Sequence, residues 1–170
     1  MFFVKSAEII FCPCCNRSLE VIGSRKRKYI NIEGIKQTLI IRRLRCVSCR
    51  KIHHELPDIL VPYKRYDSES IESTLSSNLN LTVAADESTI KRWKHWFKEL
   101  APYLLRVIIA IKLRLNYTAV EQELSRVPST ALLGILYWVG EENGWLSRVV
   151  RIVANTNFWI HTRSAFLSTE

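Results

Sequence analysis

The chain has 170 residues and a mass of 19.8 kDa, room for one ordinary domain or two small ones. Apolar residues make up 48% and charged residues 24%, with only 5 Gly and 5 Pro, which excludes a disordered tail, a collagen or a low-complexity linker. The formal net charge is +9, and all of that excess lies in residues 1–66, where 14 Lys+Arg meet 5 Asp+Glu; residues 67–170 carry 11 of each.

Such a concentrated positive field points to a polyanionic partner, with nucleic acid the first expectation. Met1 to Lys5 show no basic start leading into an apolar core. The uncharged stretch Val127 to Gly140 is shorter than the roughly 20 residues a bilayer requires. A soluble, cytoplasmic, nucleoid-associated protein with no membrane partner is therefore expected.

All five cysteines fall in the basic segment: Cys12, Cys14, Cys15, Cys46 and Cys49. Cys12-Pro13-Cys14-Cys15 and Cys46-Val47-Ser48-Cys49 each contain a C-x-x-C, in which a tight turn aims two sulfurs and its backbone N–H groups at one ion. Two such pairs about thirty residues apart suit a four-thiolate zinc site. Cys12, Cys15, Cys46 and Cys49 are the expected ligands, and Cys14 is left over. A site in which His53 or His54 replaces one thiolate stays open. Four thiolates leave no position for water or substrate, so the expected cofactor is structural zinc.

Between the pairs, Leu19 to Ser24 reads as a short strand and Lys36 to Arg45 as a longer one, joined through the turn residues Asn31 to Gly34. A third strand, Lys51 to Leu56, ends at Pro57. This module has few large apolar residues, so the metal should contribute much of its folding energy.

After Pro62 the pattern becomes helical. Asp67 or Ser68 can cap a helix through about Ser77. Asn78 to Leu81 reads as a break, followed by a brief helix, Thr82 to Ala85, and a turn at Asp86-Glu87. In the next helix, Ser88 to Leu100, the residues Ile90, Trp93, Phe97 and Leu100 share one face. Ser88, Lys91, Arg92, His95 and Lys98 occupy the other, with Lys94 at one edge. A short helix, a turn and a helix with a basic outer face suggest a helix-turn-helix whose second helix enters the major groove of double-stranded DNA.

Beyond Pro102, further helices are expected at Tyr103–Leu115, from Thr118 to about Arg126, at Ser129–Val139 and at Trp145–Ala154. Nothing after residue 60 reads as a sheet. The aromatic tail, with Phe158, Trp159, Ile160, Phe166 and Leu167, is the best candidate for contact with another subunit. The expected class is α+β: a zinc ribbon over residues 1–61, a helix-turn-helix over 62–101 and a helical region over 102–170, available for homo-oligomerisation or partner binding.

Cys12-Pro13-Cys14-Cys15, Ile41 to Cys49, His54-Glu55-Leu56-Pro57 and Tyr63-Lys64-Arg65-Tyr66 together resemble the N-terminal zinc-ribbon region of bacterial insertion-sequence transposases. Ser88 to Trp93 resembles the start of the recognition helix that follows it in those proteins. The layout is also similar to an uncharacterised bacterial family of short zinc-ribbon plus helix-turn-helix proteins carried by mobile elements. The close resemblance covers about residues 9–97.

No acidic triad, glycine-rich phosphate loop or H-E-x-x-H motif is visible, so no enzyme activity is expected. The resemblance therefore implies end-binding or regulatory work beside a separate transposase or integrase. In that reading Arg25, Lys26, Arg27, Lys28, Arg42, Arg43 and Arg45 contact phosphates, and Ser88, Lys91, Arg92, Lys94, His95 and Lys98 form the second DNA-contacting set. The competing expectation is an adaptor or transcription regulator whose zinc ribbon docks a protein.

Overall fold

The computed structural model describes residues 2–6, 9–76, 83–159 and 165–168. The chain is α+β. Its sheet comprises β1 (Phe2–Phe3), β2 (Leu19–Ile30), β3 (Lys36–Cys46), β4 (Ile52–Pro57) and β5 (Ala165–Ser168), and its helices are α1 (Ser68–Leu75), α2 (Glu87–Leu115), α3 (Tyr117–Glu123), α4 (Ala131–Val139) and α5 (Trp145–Asn155). A 3-10 turn, Leu124–Arg126, extends α3.

β3 is the spine of the sheet. One edge pairs antiparallel with β2 along its whole length. The other edge takes β1 in parallel at Leu39 and Ile40, then β4 antiparallel from Arg43 to Arg45. The hairpin turn is held by Asn31, whose carbonyl accepts from Gly34 N at 2.9 Å and whose side chain accepts from Ile35 N at 2.8 Å. β2 is twice as long as the expected Leu19–Ser24, because Arg25 to Ile30 continue the ladder opposite Ile41 to Lys36. The lysines and arginines there mask the apolar alternation by which a strand is recognised.

The sheet has two unlike faces. Leu39, Ile41 and Leu56 are buried in one core with Ile71, Trp93, Phe97, Leu104, Ile108, Ile135 and Trp145. Leu44 and His53, paired across β3 and β4, are both buried, as are Cys46 and Glu55 further along the same two strands. Glu55 receives a bidentate pair from Arg42, at 2.5 and 2.7 Å, and a backbone N–H from Ser6 at 2.8 Å.

Asp67 caps α1 as expected, accepting from Ser70 N at 2.9 Å. The expected brief helix at Thr82–Ala85 does not form over Val83 to Ala85, where the chain bends at Ala84 and Ala85 without helical structure, while Thr82 and the break Asn78–Leu81 lie outside the described residues. Nor does Pro102 separate two helices: α2 runs through it for 29 residues. An interior proline removes one N–H bond and crowds the preceding turn, at about 3 kcal/mol. The uninterrupted buried face of Trp93, Phe97, Leu100, Leu104 and Ile108 outweighs that cost.

α3 begins at Tyr117, which puts Thr118 inside the helix and not at its cap. The expected helices near Ser129 and Trp145 form as α4 and α5. α5 is capped from a distance: the buried Glu72 of α1 accepts from Gly144 N at 2.7 Å and Leu146 N at 2.8 Å. Burial raises the Glu72 carboxyl above its ordinary value, and these two N–H groups oppose the rise.

The tail contradicts the expectation of no later strand, since β5 pairs in parallel with β4 from His54 to Pro57. Trp159, expected at a subunit contact, is buried in the core, whereas Phe158 is half exposed; Ile160 lies outside the described residues.

Candidate metal centre and basic surface

The two C-x-x-C segments fold into matching knuckles. Cys12 N bonds to Arg17 O at 2.8 Å, and Cys46 N bonds to Lys51 O at 3.0 Å, the same five-residue closure in each. The residue after each second cysteine, Asn16 and Arg50, takes a positive φ of 54° and 60°. That shared turn supports pairing Cys12 with Cys15 and Cys46 with Cys49.

The four sulfurs lie within 4.8 Å of one another, close enough to hold a metal ion. Cys12 and Cys49 are 3.6 Å apart and Cys15 and Cys46 are 3.4 Å apart. A tetrahedral ion with metal–sulfur bonds of about 2.3 Å would set its sulfurs about 3.8 Å apart, so the donor set fits with small adjustment.

The thiols differ before any ion binds. Burial pushes the Cys12 thiol up to about 12. Burial also acts to raise Cys46, but the backbone N–H groups of Cys49 and Ser48, and the Cys15 and Cys49 side chains, bring it down to about 6. The N–H groups that stabilise the Cys46 thiolate are those of its own knuckle, as the turn argument requires.

Cys14 stands beside the four. Its sulfur is 3.5 Å from both Lys51 Nζ and Asn157 Oδ1, while His53 Nε2 is 3.3 Å from the Cys12 sulfur. His54 points to the other sheet face, where burial, then Arg25 and Arg43, lower its pKa.

The cationic residues divide into three groups. Arg25, Lys26, Arg27 and Lys28 line a groove of about 590 Å³ along the hairpin. They are joined there by Lys36 and Arg65, with Tyr29, Ile30, Gln37 and Thr38, and no carboxylate lines the groove among the described residues. Sequence reading missed Lys36 and Arg65. The β2–β3 register brings the first across from Ile30, and the bridge of Ile30 to Tyr66 brings in the second.

Arg27 is half buried and donates to Lys64 O at 2.6 Å, so it shapes the groove wall as well as charging it. Arg42 is committed to Glu55 and lies outside the groove. Arg43 and Arg45 are half buried on β3, opposite Gly23 and Glu20, also away from the groove.

The third group is on α2. Ser88, Lys91, Arg92, Lys94, His95 and Lys98 are all exposed, while Trp93, Phe97 and Leu100 are buried, as the helical periodicity requires. Trp93 packs edge-on to Tyr66 at 4.9 Å. Asp86 caps this helix, accepting from Thr89 N at 2.8 Å and from the Ser88 hydroxyl at 2.6 Å. Arg92 folds back on the first turn, donating to Thr89 Oγ1 at 2.9 Å and Ser88 O at 3.3 Å.

The hairpin tip abuts the approach to α2. Gly34 has φ +82°, and a Cβ there would lie 2.8 Å from Ala84 Cβ. The hairpin that bears the groove thus touches the chain three residues before α2.

A family profile described as a domain of unknown function (DUF6431) matches residues 12–93, from the first expected metal ligand to Trp93 of α2. No curated protein and no solved structure matches the chain. Among the described residues, no helix is long and apolar enough to cross a membrane.

Proposed function

We propose that this protein is a zinc-containing, sequence-specific binder of double-stranded DNA. The observation that carries the reading is a carboxylate-free basic groove on a hairpin whose tip touches Ala84, just ahead of the exposed basic start of α2. Phosphate contacts position a protein and base contacts specify. The groove supplies the first kind through Arg25, Lys26, Lys28, Lys36 and Arg65. Ser88, Lys91, Arg92 and His95 supply the second from one helix face, where a guanidinium can make two bonds to guanine.

Zinc is the ion we assign to the four-thiolate set, because borderline-soft Zn²⁺ takes tetrahedral thiolate sites and is redox-inert. The ion acts structurally, fixing the knuckle end of the hairpin that bears the groove. The resemblance to transposase DNA-binding regions extends the proposal to a non-catalytic accessory or regulator of a bacterial mobile element. It would act at the nucleoid beside a separate transposase or integrase, and homo-oligomerisation would follow the two-fold symmetry common in DNA sites.

The test is equilibrium binding of the zinc-loaded chain to random duplex DNA over a salt series. Counterion release predicts a slope of about 0.9 in log Kd against log salt per phosphate neutralised, hence roughly 4–5 if the groove cations act together. Weak binding with no salt slope would instead favour the protein-docking adaptor.

A further inference from the structure

The four-thiolate set does not use all the soft donors at this end of the molecule. Cys12, Cys14, Cys49 and His53 form a second group whose ligand atoms also lie within 4.8 Å of one another. The two groups share Cys12 and Cys49 and differ in the remaining pair: Cys15 and Cys46 in one, Cys14 and His53 in the other. We propose that the site holds two divalent metal ions bridged by the Cys12 and Cys49 thiolates, the second ion completed by Cys14 and His53.

Two tetrahedra sharing an edge need their common pair of sulfurs about one tetrahedral edge apart, near 3.8 Å for thiolates. Cys12 and Cys49 are 3.6 Å apart. A sulfur and an imidazole nitrogen on one ion should be about 3.5 Å apart, and His53 Nε2 is 3.3 Å from the Cys12 sulfur. The outer pairs come from different places: Cys15 and Cys46 from the two knuckles, Cys14 from the middle of the first knuckle and His53 from β4.

His53 is completely buried beside this donor set, which fixes its imidazole against the shared thiol. Charge is nearly balanced: five thiolates and two divalent ions leave one negative charge, and the Lys51 ammonium lies 3.5 Å from the Cys14 sulfur. Binding displaces the thiol protons to solvent and requires no oxidant.

The experiment is a titration of the full-length, metal-free, reduced chain with Co²⁺, counting equivalents by thiolate-to-metal charge-transfer absorbance. Zinc content after reconstitution is measured in parallel. Two equivalents are expected for the wild type, and one for Cys14→Ser and for His53→Asn. ¹¹³Cd spectra should show two resonances, one for an all-sulfur site and one for a mixed sulfur–nitrogen site, with the mixed one absent in Cys14→Ser. Cys14 is only partly buried, so that variant should fold even if His53→Asn does not. Saturation of the wild type at one equivalent when two are supplied, or retention of two by Cys14→Ser, would overturn the proposal. The outcome is independent of DNA binding.

Discussion

The two ends of this molecule are held together by different physics. The helical end is closed by a core in which Leu104, Ile108, Ile135, Trp145, Leu146 and Val149 are essentially inaccessible to water. The knuckle end buries sulfurs, a histidine and a carboxylate in place of aliphatic side chains. A core tolerates imperfect chemistry because dispersion and burial are spread over many contacts. A polar centre depends on each partner being present, because a single missing one leaves a buried group unsatisfied. The knuckle end should therefore fail abruptly and the helical end gradually.

The largest effect should follow from Cys46→Ser or from chelation. Structural zinc binding is on the order of 10 kcal/mol of folding free energy in small zinc domains. Hydrogen exchange should show protection lost from the knuckles, the hairpin and β4, while the helical far-UV signal is largely kept. Equal loss of both would show that the helices cannot stand without the knuckle end.

Next come two substitutions of similar size and opposite kind. Trp93→Ala removes a buried aromatic and should cost about 3–5 kcal/mol. Arg42→Ala takes both guanidinium bonds from the buried Glu55 carboxylate, which otherwise accepts from the Ser6 N–H, and should also cost about 3–5 kcal/mol. Denaturant unfolding separates them. Adding Glu55→Gln should recover part of the Arg42 loss, and no second substitution of one polar atom should do so for Trp93.

A smaller effect is expected at Glu72, where Glu72→Ala should cost about 1–3 kcal/mol by leaving two N–H groups of α5 unpaired. Glu72→Gln, which keeps an acceptor, should cost less. The raised carboxyl works against stability as pH climbs above its unfolded value. The wild type should therefore lose stability relative to Glu72→Gln between the ordinary glutamate range and the raised native value, as Tm measured across that window would show.

The smallest effect lies at the α2 cap. The Ser88 hydroxyl, then the Thr89 N–H and hydroxyl, hold the Asp86 carboxyl down to about 2. A depressed acid stabilises the fold above its unfolded pKa and loses that contribution as pH falls toward the native value. Thermal unfolding from pH 5 to pH 2 should show wild type converging on Asp86→Asn.

What could be read from the sequence was local. Cysteine spacing, the Asp67 cap and the faces of α2 each depend on residues within a turn or two. What could not be read was brought together by distant pairing. Lys36 and Arg65 reach the groove only through the β2–β3 register and the Ile30–Tyr66 bridge. Glu72 caps a helix more than seventy residues away, and β5 returns to a sheet that ends at Pro57. Arg42 belongs by composition with the other cations of the basic segment, yet Glu55, thirteen residues on, claims it. Pro102 looks like a stop because its local cost is visible, and the buried face that offsets it is not.

The central claim is that the groove positions DNA and α2 reads it. The most direct test compares Lys26→Ala with Lys28→Ala, made together, against Arg92→Ala, on a selected site, its single-base mutants and random duplex. The groove variant should weaken every duplex alike and lower the salt slope by about 2. Arg92→Ala should flatten discrimination at one or two base pairs by roughly 1–3 kcal/mol while Tm holds. If neither variant changes binding to any duplex, the claim is contradicted and the basic surface is only a solvated face.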